Sequence, residues 1–327
     1  MMSGAKHLLK GTAMNSIDSM NPQIDRLISN IEKVIIGKRE IIRLTITALI
    51  AGGHVLIEDV PGVGKTQLAS ALSVSCGGVF NRLQLTPDIM PSDITGFSLI
   101  DPATKELSFR QGAAFCNFLL ADEINRSSPK TQSALLEVME ESQISIDGMT
   151  YDLPSPFMVL ATQNPVETYG TYHLPEAQMD RFLMRLEMGY PGEDNELSIL
   201  NRPETTQAKD LEKVISLDDI LLMKDDSLKI NCSELINRYI IAISERTRNE
   251  EGILLGVSPR GSLALQSAAR AYALIQGRDY VCPDDVKYLA PFVLSHRLIL
   301  SAQGRAKWGD PVTALLHLLD ETAIPTR

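Results

Sequence analysis

The run Pro61-Gly62-Val63-Gly64-Lys65-Thr66 constrains this chain more than any other. It stands directly after an apolar, β-branched stretch, His54–Val60 (HVLIEDV), and directly before a segment of helical character, Thr66–Cys76. A phosphate needs several backbone N–H groups converging on it, and a glycine-rich turn provides them without Cβ clashes. The helix that follows adds a favourable N-terminal dipole. In that arrangement Pro61, Gly62, Val63 and Gly64 line the loop. Lys65 reaches the β/γ-phosphates of a nucleotide, the Thr66 hydroxyl holds Mg²⁺, and Gln67 is counted with the nucleotide-contacting positions. The pattern G-x-x-x-x-G-K-T wants Gly at position 59, and this chain has Asp59.

Around that loop the chain reads as an α/β unit. Asn21-Pro22 opens a helix carried by Ile24, Leu27, Ile28, Ile31, Val34 and Ile35 at helical spacing and ended at Gly37. A second helix runs from Lys38 to about Ala51. Val79–Leu85, Phe118–Glu123 and Phe157–Asn164 read as buried strands, and strands alternating with helices imply a parallel sheet covered on both faces. Ser98–Ile100 and Leu107–Phe109 flank Asp101-Pro102 as an inserted hairpin. Ser128-Pro129 starts a helix to about Glu141. Asp147-Gly148 joins Gln143–Ile146 to Met149–Leu153 as a second hairpin, facing a pore or packing on the sheet. Beyond Tyr190-Pro191-Gly192 only helical runs follow, near 195–200, 217–224, 233–249, 259–276, 283–299 and 309–320. The expected organisation is a loosely ordered leader over 1–20, a nucleotide-binding αβα domain over 21–190, and a small all-helical lid over 195–327.

Two further segments complete the chemistry. Phe118-Leu119-Leu120-Ala121-Asp122-Glu123 puts two carboxylates at the C-terminal edge of a buried strand, where such sheets bind ligands. There Asp122 coordinates Mg²⁺ through water and Glu123 polarises the water that attacks the γ-phosphate. Asn164, ending FMVLATQN, is either a turn residue or the amide that fixes that water. His54 and His173 have no partner at ligand spacing and read as structural, and Glu137, Glu140 and Glu141 read as a solvated helix face.

Composition narrows the class. The chain has 327 residues, 44% hydrophobic and 22% charged, and a formal net charge of −10. That balance opposes broad adhesion to nucleic acid or anionic lipid. On the first hairpin only Lys105 is basic, with Arg110 just beyond, which argues against nucleic acid as a partner. Cys76, Cys116, Cys232 and Cys282 form no CxxC pair, which suggests small buried hydrophobes in a reducing compartment. The N-terminal segment lacks the apolar core of a signal peptide and no stretch is long enough to span a bilayer, so a cytoplasmic protein is expected.

The ordered run LIEDVPGVGKT, LTPDIMPSDITG, LLADEINRSSPKTQSALLEVMEE, LATQNP and YHLPEAQMDRF resembles the MoxR ATPases of the AAA+ superfamily over about residues 20–300. Ser258-Pro259-Arg260-Gly261 resembles the family's SPRA, with Gly261 in place of Ala. The hairpin between Val79 and Phe118 resembles the helix-2 insert of that clade. The resemblance implies a P-loop αβα domain with a helical lid, ATP and Mg²⁺ as ligands, and hydrolysis of ATP to ADP and phosphate. It implies Arg181 as an arginine finger acting on a neighbouring subunit, Arg260 as sensor 2, and Ile36-Gly37 as the position of the adenine base. Arg126 is open between a second trans-acting Arg and a plain salt-bridge partner. A homo-oligomeric ring, a hexamer by resemblance, and chaperone-like remodelling of a protein client follow, the client including a von Willebrand factor A domain protein. A nucleotide-gated switch and a chelatase-type ATPase subunit are the alternatives.

Overall fold

The computed structural model describes residues 20–60, 62–100, 105, 107–164, 172, 174–201 and 207–324; at Glu176 and Ala177 only the backbone is described. The leader apart from Met20, Pro61, Asp101-Pro102 and His173 lie outside these residues. The chain forms two compact units, one spanning Gln23–Leu228 and the other holding the chain from Lys229 onward.

The first unit opens with helix α1 (Pro22–Glu32) and helix α2 (Arg39–Ile50). In α1 Ile24, Leu27, Ile28 and Ile31 are buried at the i, i+3, i+4 spacing that one helix face requires. Strand β1 (Val55–Glu58) leads into the glycine-rich loop and helix α3 (Lys65–Cys76). Then come β2 (Phe80–Gln84), the short helix α4 (Pro91–Thr95), and the inserted hairpin of β3 (Gly96–Ile100) and β4 (Leu107–Gln111). Strand β5 (Phe118–Asp122) is followed by α5 (Pro129–Glu141), started by the Ser128 hydroxyl accepting the Thr131 N–H at 3.3 Å. The second hairpin, β6 (Gln143–Ile146) and β7 (Met149–Asp152), precedes β8 (Met158–Gln163). The unit continues with α6 (Glu176–Met179), β9 (Met184–Leu186), α7 (Glu193–Leu200) and α8 (Leu217–Lys229).

Five strands form one parallel sheet in the order β2-β5-β8-β1-β9. Strands β1, β5 and β8 are buried until their last residue, where exposure begins: Glu58, Asp122 and Gln163. A strand covered on both faces must be apolar throughout, so polar chemistry can enter only at that carboxyl edge. The expected parallel αβα sheet is therefore present. Strand β9 was not anticipated. It is three residues long and carries Arg185 in its middle, so its own sequence has no apolar run to signal it. On the second hairpin Ile144 is buried within the core and Tyr151 stacks on Phe109 of the first hairpin, centroids 4.2 Å apart. One face of that hairpin thus packs rather than standing free.

The second unit is mainly helical: α9 (Glu234–Asn249), α10 (Pro259–Ile275), α11 (Pro283–Leu294), α12 (Ala302–Trp308) and α13 (Pro311–Glu321), whereas the helical runs near 195–200 and 217–224, expected with the lid, group with the first unit. It also carries a short antiparallel ribbon, β10 (Ile253–Leu255) with β11 (Ile299–Leu300). The helical run expected over 283–299 accordingly stops at Leu294, gives a 3-10 turn at Ser295–Arg297, and becomes strand. Among the described residues no helix is long and apolar enough to cross a membrane.

Candidate nucleotide site

The glycine-rich loop has the backbone its composition predicts. Gly62 (φ +86°) and Gly64 (φ +97°) both lie in the left-handed region, and open space surrounds the Cβ position of Gly62. Conformation rather than crowding requires glycine there. Gly64 caps α3 with no side-chain hydrogen bond, and no acidic residue sits in the first turn. The first N–H groups of α3 are thus left for an anion, and the helix dipole favours one. Thr66 is half-buried and Gln67 exposed. Lys65 folds back over the loop and donates to Asp59 O at 2.9 Å.

Asp59, the departure from the glycine pattern, has a visible occupation. Its carboxylate accepts the Val60 N–H at 2.8 Å and the Gly189 N–H beyond β9. Lys38 ties the same segment, donating to the carbonyls of Met188 (2.5 Å), Gly189 (2.9 Å) and Tyr190 (3.0 Å). One acid and one ammonium thus fasten the chain after β9 to the start of the loop and to the residue following Ile36-Gly37.

At the edge of β5 the two acids are held by residues the sequence reading missed. Asp122 accepts from Thr162 Oγ1 at 2.5 Å and from the Arg82 guanidinium at 2.7 Å. The same Thr162 hydroxyl accepts the Glu123 N–H at 2.9 Å. Thr162 and Asn164 lie two residues apart on β8 and its continuation and so share a face. A threonine inside the apolar run FMVLATQN was the one available signal. Glu123 sits at φ +57°, an uncommon conformation for a residue with a side chain, and its carboxylate pairs with Arg126 at 2.8 Å. Asn164 is 7% exposed. Gln163 Oε1 and Asn125 Oδ1, close by in sequence to these groups, are buried without a hydrogen-bond partner among the described residues. Buried acceptor oxygens of that kind call for a donor such as a water molecule, while the glycine loop and the helix start behind it suit an anionic ligand.

Glu58, ending β1, is paired with Arg185 at 3.3 Å. Burial raises its carboxyl above the usual range, with Arg185 pulling the other way and Glu187 adding to the rise. His54, by contrast, is a core residue. Nε2 meets Met139 O at 2.9 Å, Nδ1 accepts the Val159 N–H at 3.0 Å, and burial brings its pKa down to about 4. The four cysteines are free, with burial pushing Cys76 and Cys116 up to about 12.

Arg181 lies in the first unit beside α5. Its guanidinium donates to Leu136 O at 2.7 Å and pairs with Glu140 at 3.1 Å. Glu140 therefore is not simply part of a solvated face, as the sequence suggested, although Glu137 and Glu141 are exposed. A cavity of about 420 Å³ opens at that spot, lined by Glu137, Glu140, Glu141 and Arg181 among others. Arg260 sits in the first turn of α10 in the second unit. Gly37 has φ +71° and lies against the Asn195 amide of α7.

Comparison with known proteins agrees with this geometry. Residues 54–184 match the family "ATPase family associated with various cellular activities (AAA)", and residues 245–314 match the AAA lid domain. The uncharacterized protein YeaC of Bacillus subtilis is 46% identical over 311 residues, covering 95% of this chain and 97% of its own. Chaperone MoxR1 of Mycobacterium tuberculosis is 40% identical over 313 residues, 92% of this chain and 82% of its own. A crystal structure from Cytophaga hutchinsonii superposes with a TM-score of 0.86 at 36% identity, covering 93% of this chain and 95% of that one. Sequence, sheet order and relatives together establish that the chain belongs to the MoxR family of AAA+ ATPases.

Proposed function

We propose that this protein hydrolyses ATP to ADP and phosphate in a Mg²⁺-dependent reaction shared between subunits of a homo-oligomeric ring, and uses the cycle for chaperone-like remodelling of a protein partner. The observation that carries the reading is the meeting of three strand ends at one sheet edge. There β1 delivers the glycine loop and Lys65, β5 delivers Asp122 and Glu123, and β8 delivers Asn164.

The residues divide the work by their chemistry. The N–H groups from Gly62 to Thr66 and the start of α3 cradle phosphate, and Lys65 exchanges Asp59 O for the β/γ-phosphates. The Thr66 hydroxyl and, through water, Asp122 would hold Mg²⁺, which would neutralise charge on the phosphates. Glu123, once turned from Arg126, takes a proton from the attacking water, and Asn164 holds that water in line. Ile36 and Gly37 border the base. Arg181 serves as the finger for a neighbour's site, where a planar cation against the transition-state charge accelerates hydrolysis by about 10³–10⁵. Its ion pair with Glu140 supports this, since a tethered guanidinium is already ordered. Arg260 acts as sensor 2 and couples the lid to the nucleotide.

A protein client fits the first hairpin better than nucleic acid does. Phe97, Leu99, Ile100 and Leu107 are exposed there, with only Lys105 and Arg110 basic. A von Willebrand factor A domain partner, a hexameric ring and a cytoplasmic setting rest on the family resemblance.

The test separates binding from turnover. Lys65→Ala should lose ATP binding, whereas Glu123→Gln should bind ATP as tightly as wild type yet turn over at least about 10²-fold more slowly. Unchanged turnover in Glu123→Gln would remove its assigned role.

A further inference from the structure

Helix α7 has a feature the assigned site does not use. Of its eight residues none is fully buried and only Asn195 is half-buried. The Asn195 side chain lies on Gly37. A Cβ at position 37 would come within 2.3 Å of Nδ2, 2.5 Å of Cγ and 2.8 Å of Oδ1. Gly37, at φ +71°, is required by its backbone, and the Asn195 amide fills the space where a side chain would begin. That amide makes no hydrogen bond among the described residues.

The chain leading to this amide is anchored. The segment Met188–Tyr190, which leads into α7, is fastened by Lys38 to its three carbonyls and by Asp59 to the Gly189 N–H. The residue beside Gly37 and the residue that opens the phosphate loop therefore set the start of this helix. An unengaged amide carried just beyond an anchored segment at the border of a nucleotide site has a donor and an acceptor to offer.

We infer that Asn195 contacts the edge of the purine base and determines which base the site prefers. The inference rests on the reading of Ile36-Gly37 as the border of the base. Nδ2 and Oδ1 match adenine, whose amino group donates while the adjacent ring nitrogen accepts. A carboxylate at 195 would offer two acceptors. It would keep one bond to the adenine amino group, set a negative charge against the ring nitrogen, and match the paired N–H donors of guanine.

The experiment is a binding titration of the full-length chain with ATP and GTP carrying a fluorescent group on the ribose, which leaves the base edge free. Wild type, Asn195→Asp, Asn195→Ala and Lys65→Ala are compared, with circular dichroism confirming that each is folded. Asn195→Asp should lower the ratio of ATP to GTP affinity by about tenfold or more, the size of one bidentate contact to a base. Using the ratio cancels the repulsion that the new charge exerts on either triphosphate. Asn195→Ala should weaken ATP binding several-fold. An unchanged ratio in Asn195→Asp, with both nucleotides still lost in Lys65→Ala, would overturn the role of Asn195 and leave the phosphate loop as assigned. ATP binding that survives Lys65→Ala would overturn the site itself, and this inference with it.

Discussion

Replacing Thr162 by valine should loosen both acids of the site with one change of nearly constant volume. The Thr162 side chain is 1% exposed, and its hydroxyl does two things at once. It donates to Asp122 at 2.5 Å and accepts the Glu123 N–H at 2.9 Å. Valine keeps the shape, so no cavity forms, but it strands the Glu123 N–H and removes one donor from a carboxylate. A stranded buried donor costs about 1–3 kcal/mol and a hydrogen bond to a charged group contributes about 1.5–3 kcal/mol. The extra methyl returns about 1 kcal/mol. The net loss is about 1.5–5 kcal/mol, which for a unit of this size lowers Tm by about 3–20 °C. Turnover should fall further than stability implies, because displacing reacting groups by about 1 Å costs about 10²-fold. Nucleotide affinity, set by the loop and Lys65, should change little. Thr162→Ser keeps the hydroxyl and should recover turnover. Thermal unfolding, nucleotide titration and phosphate release on the three proteins decide the matter. A valine variant as stable as wild type within about 0.5 kcal/mol, with unchanged turnover, would refute the argument.

Two further predictions concern the scaffold. His54 is held near pKa 4 when folded against 6.5 when free, so the unfolded chain takes up a proton that the folded chain refuses. Its contribution is complete above about pH 6.5 and erodes by up to about 1.4 kcal/mol per pH unit as pH falls towards 4. Glu58, whose folded pKa is raised, acts with the opposite sign over its own range, so the informative quantity is the difference in slope between wild type and His54→Gln in urea unfolding. Equal slopes would contradict the burial argument. In the lid, Arg278 and Asp285 form a paired contact at 2.6 and 2.8 Å with side chains 12% and 4% exposed, and Asp285 also accepts the Cys282 N–H. Asp285→Ala takes the carboxylate away from a largely buried guanidinium and should cost about 3–5 kcal/mol in denaturant unfolding; a loss under about 1 kcal/mol would show the pair to be solvated.

The parts of this fold legible in the sequence were those encoded locally. Apolar runs ending in acids marked β1 and β5. Glycines at 62 and 64 announced their backbone, and Ser128-Pro129 announced the start of α5. What was illegible depends on partners far along the chain. Strand β9 exists because β1 offers it an edge, and the β10–β11 ribbon pairs Ile253 with Leu300 and Leu255 with Ile299, far apart along the chain. Arg82 and Thr162 enter the site only through the β2-β5-β8 order, which sets them on either side of Asp122. Asp59 looked like a defect in a pattern, yet its carboxylate holds Gly189, a contact no local rule could supply.

The central claim is that each active site is completed by a neighbour, and mixing two inactive variants tests it most directly. Arg181→Ala keeps its own acids but lends no finger; Glu123→Gln lends its finger but cannot activate water. Each alone should be nearly inactive. Combined, Arg181→Ala subunits that receive a finger from Glu123→Gln neighbours should restore part of the wild-type turnover. A mixture no more active than its components, or an Arg181→Ala protein that turns over ATP at the wild-type rate whatever its concentration, would contradict the account.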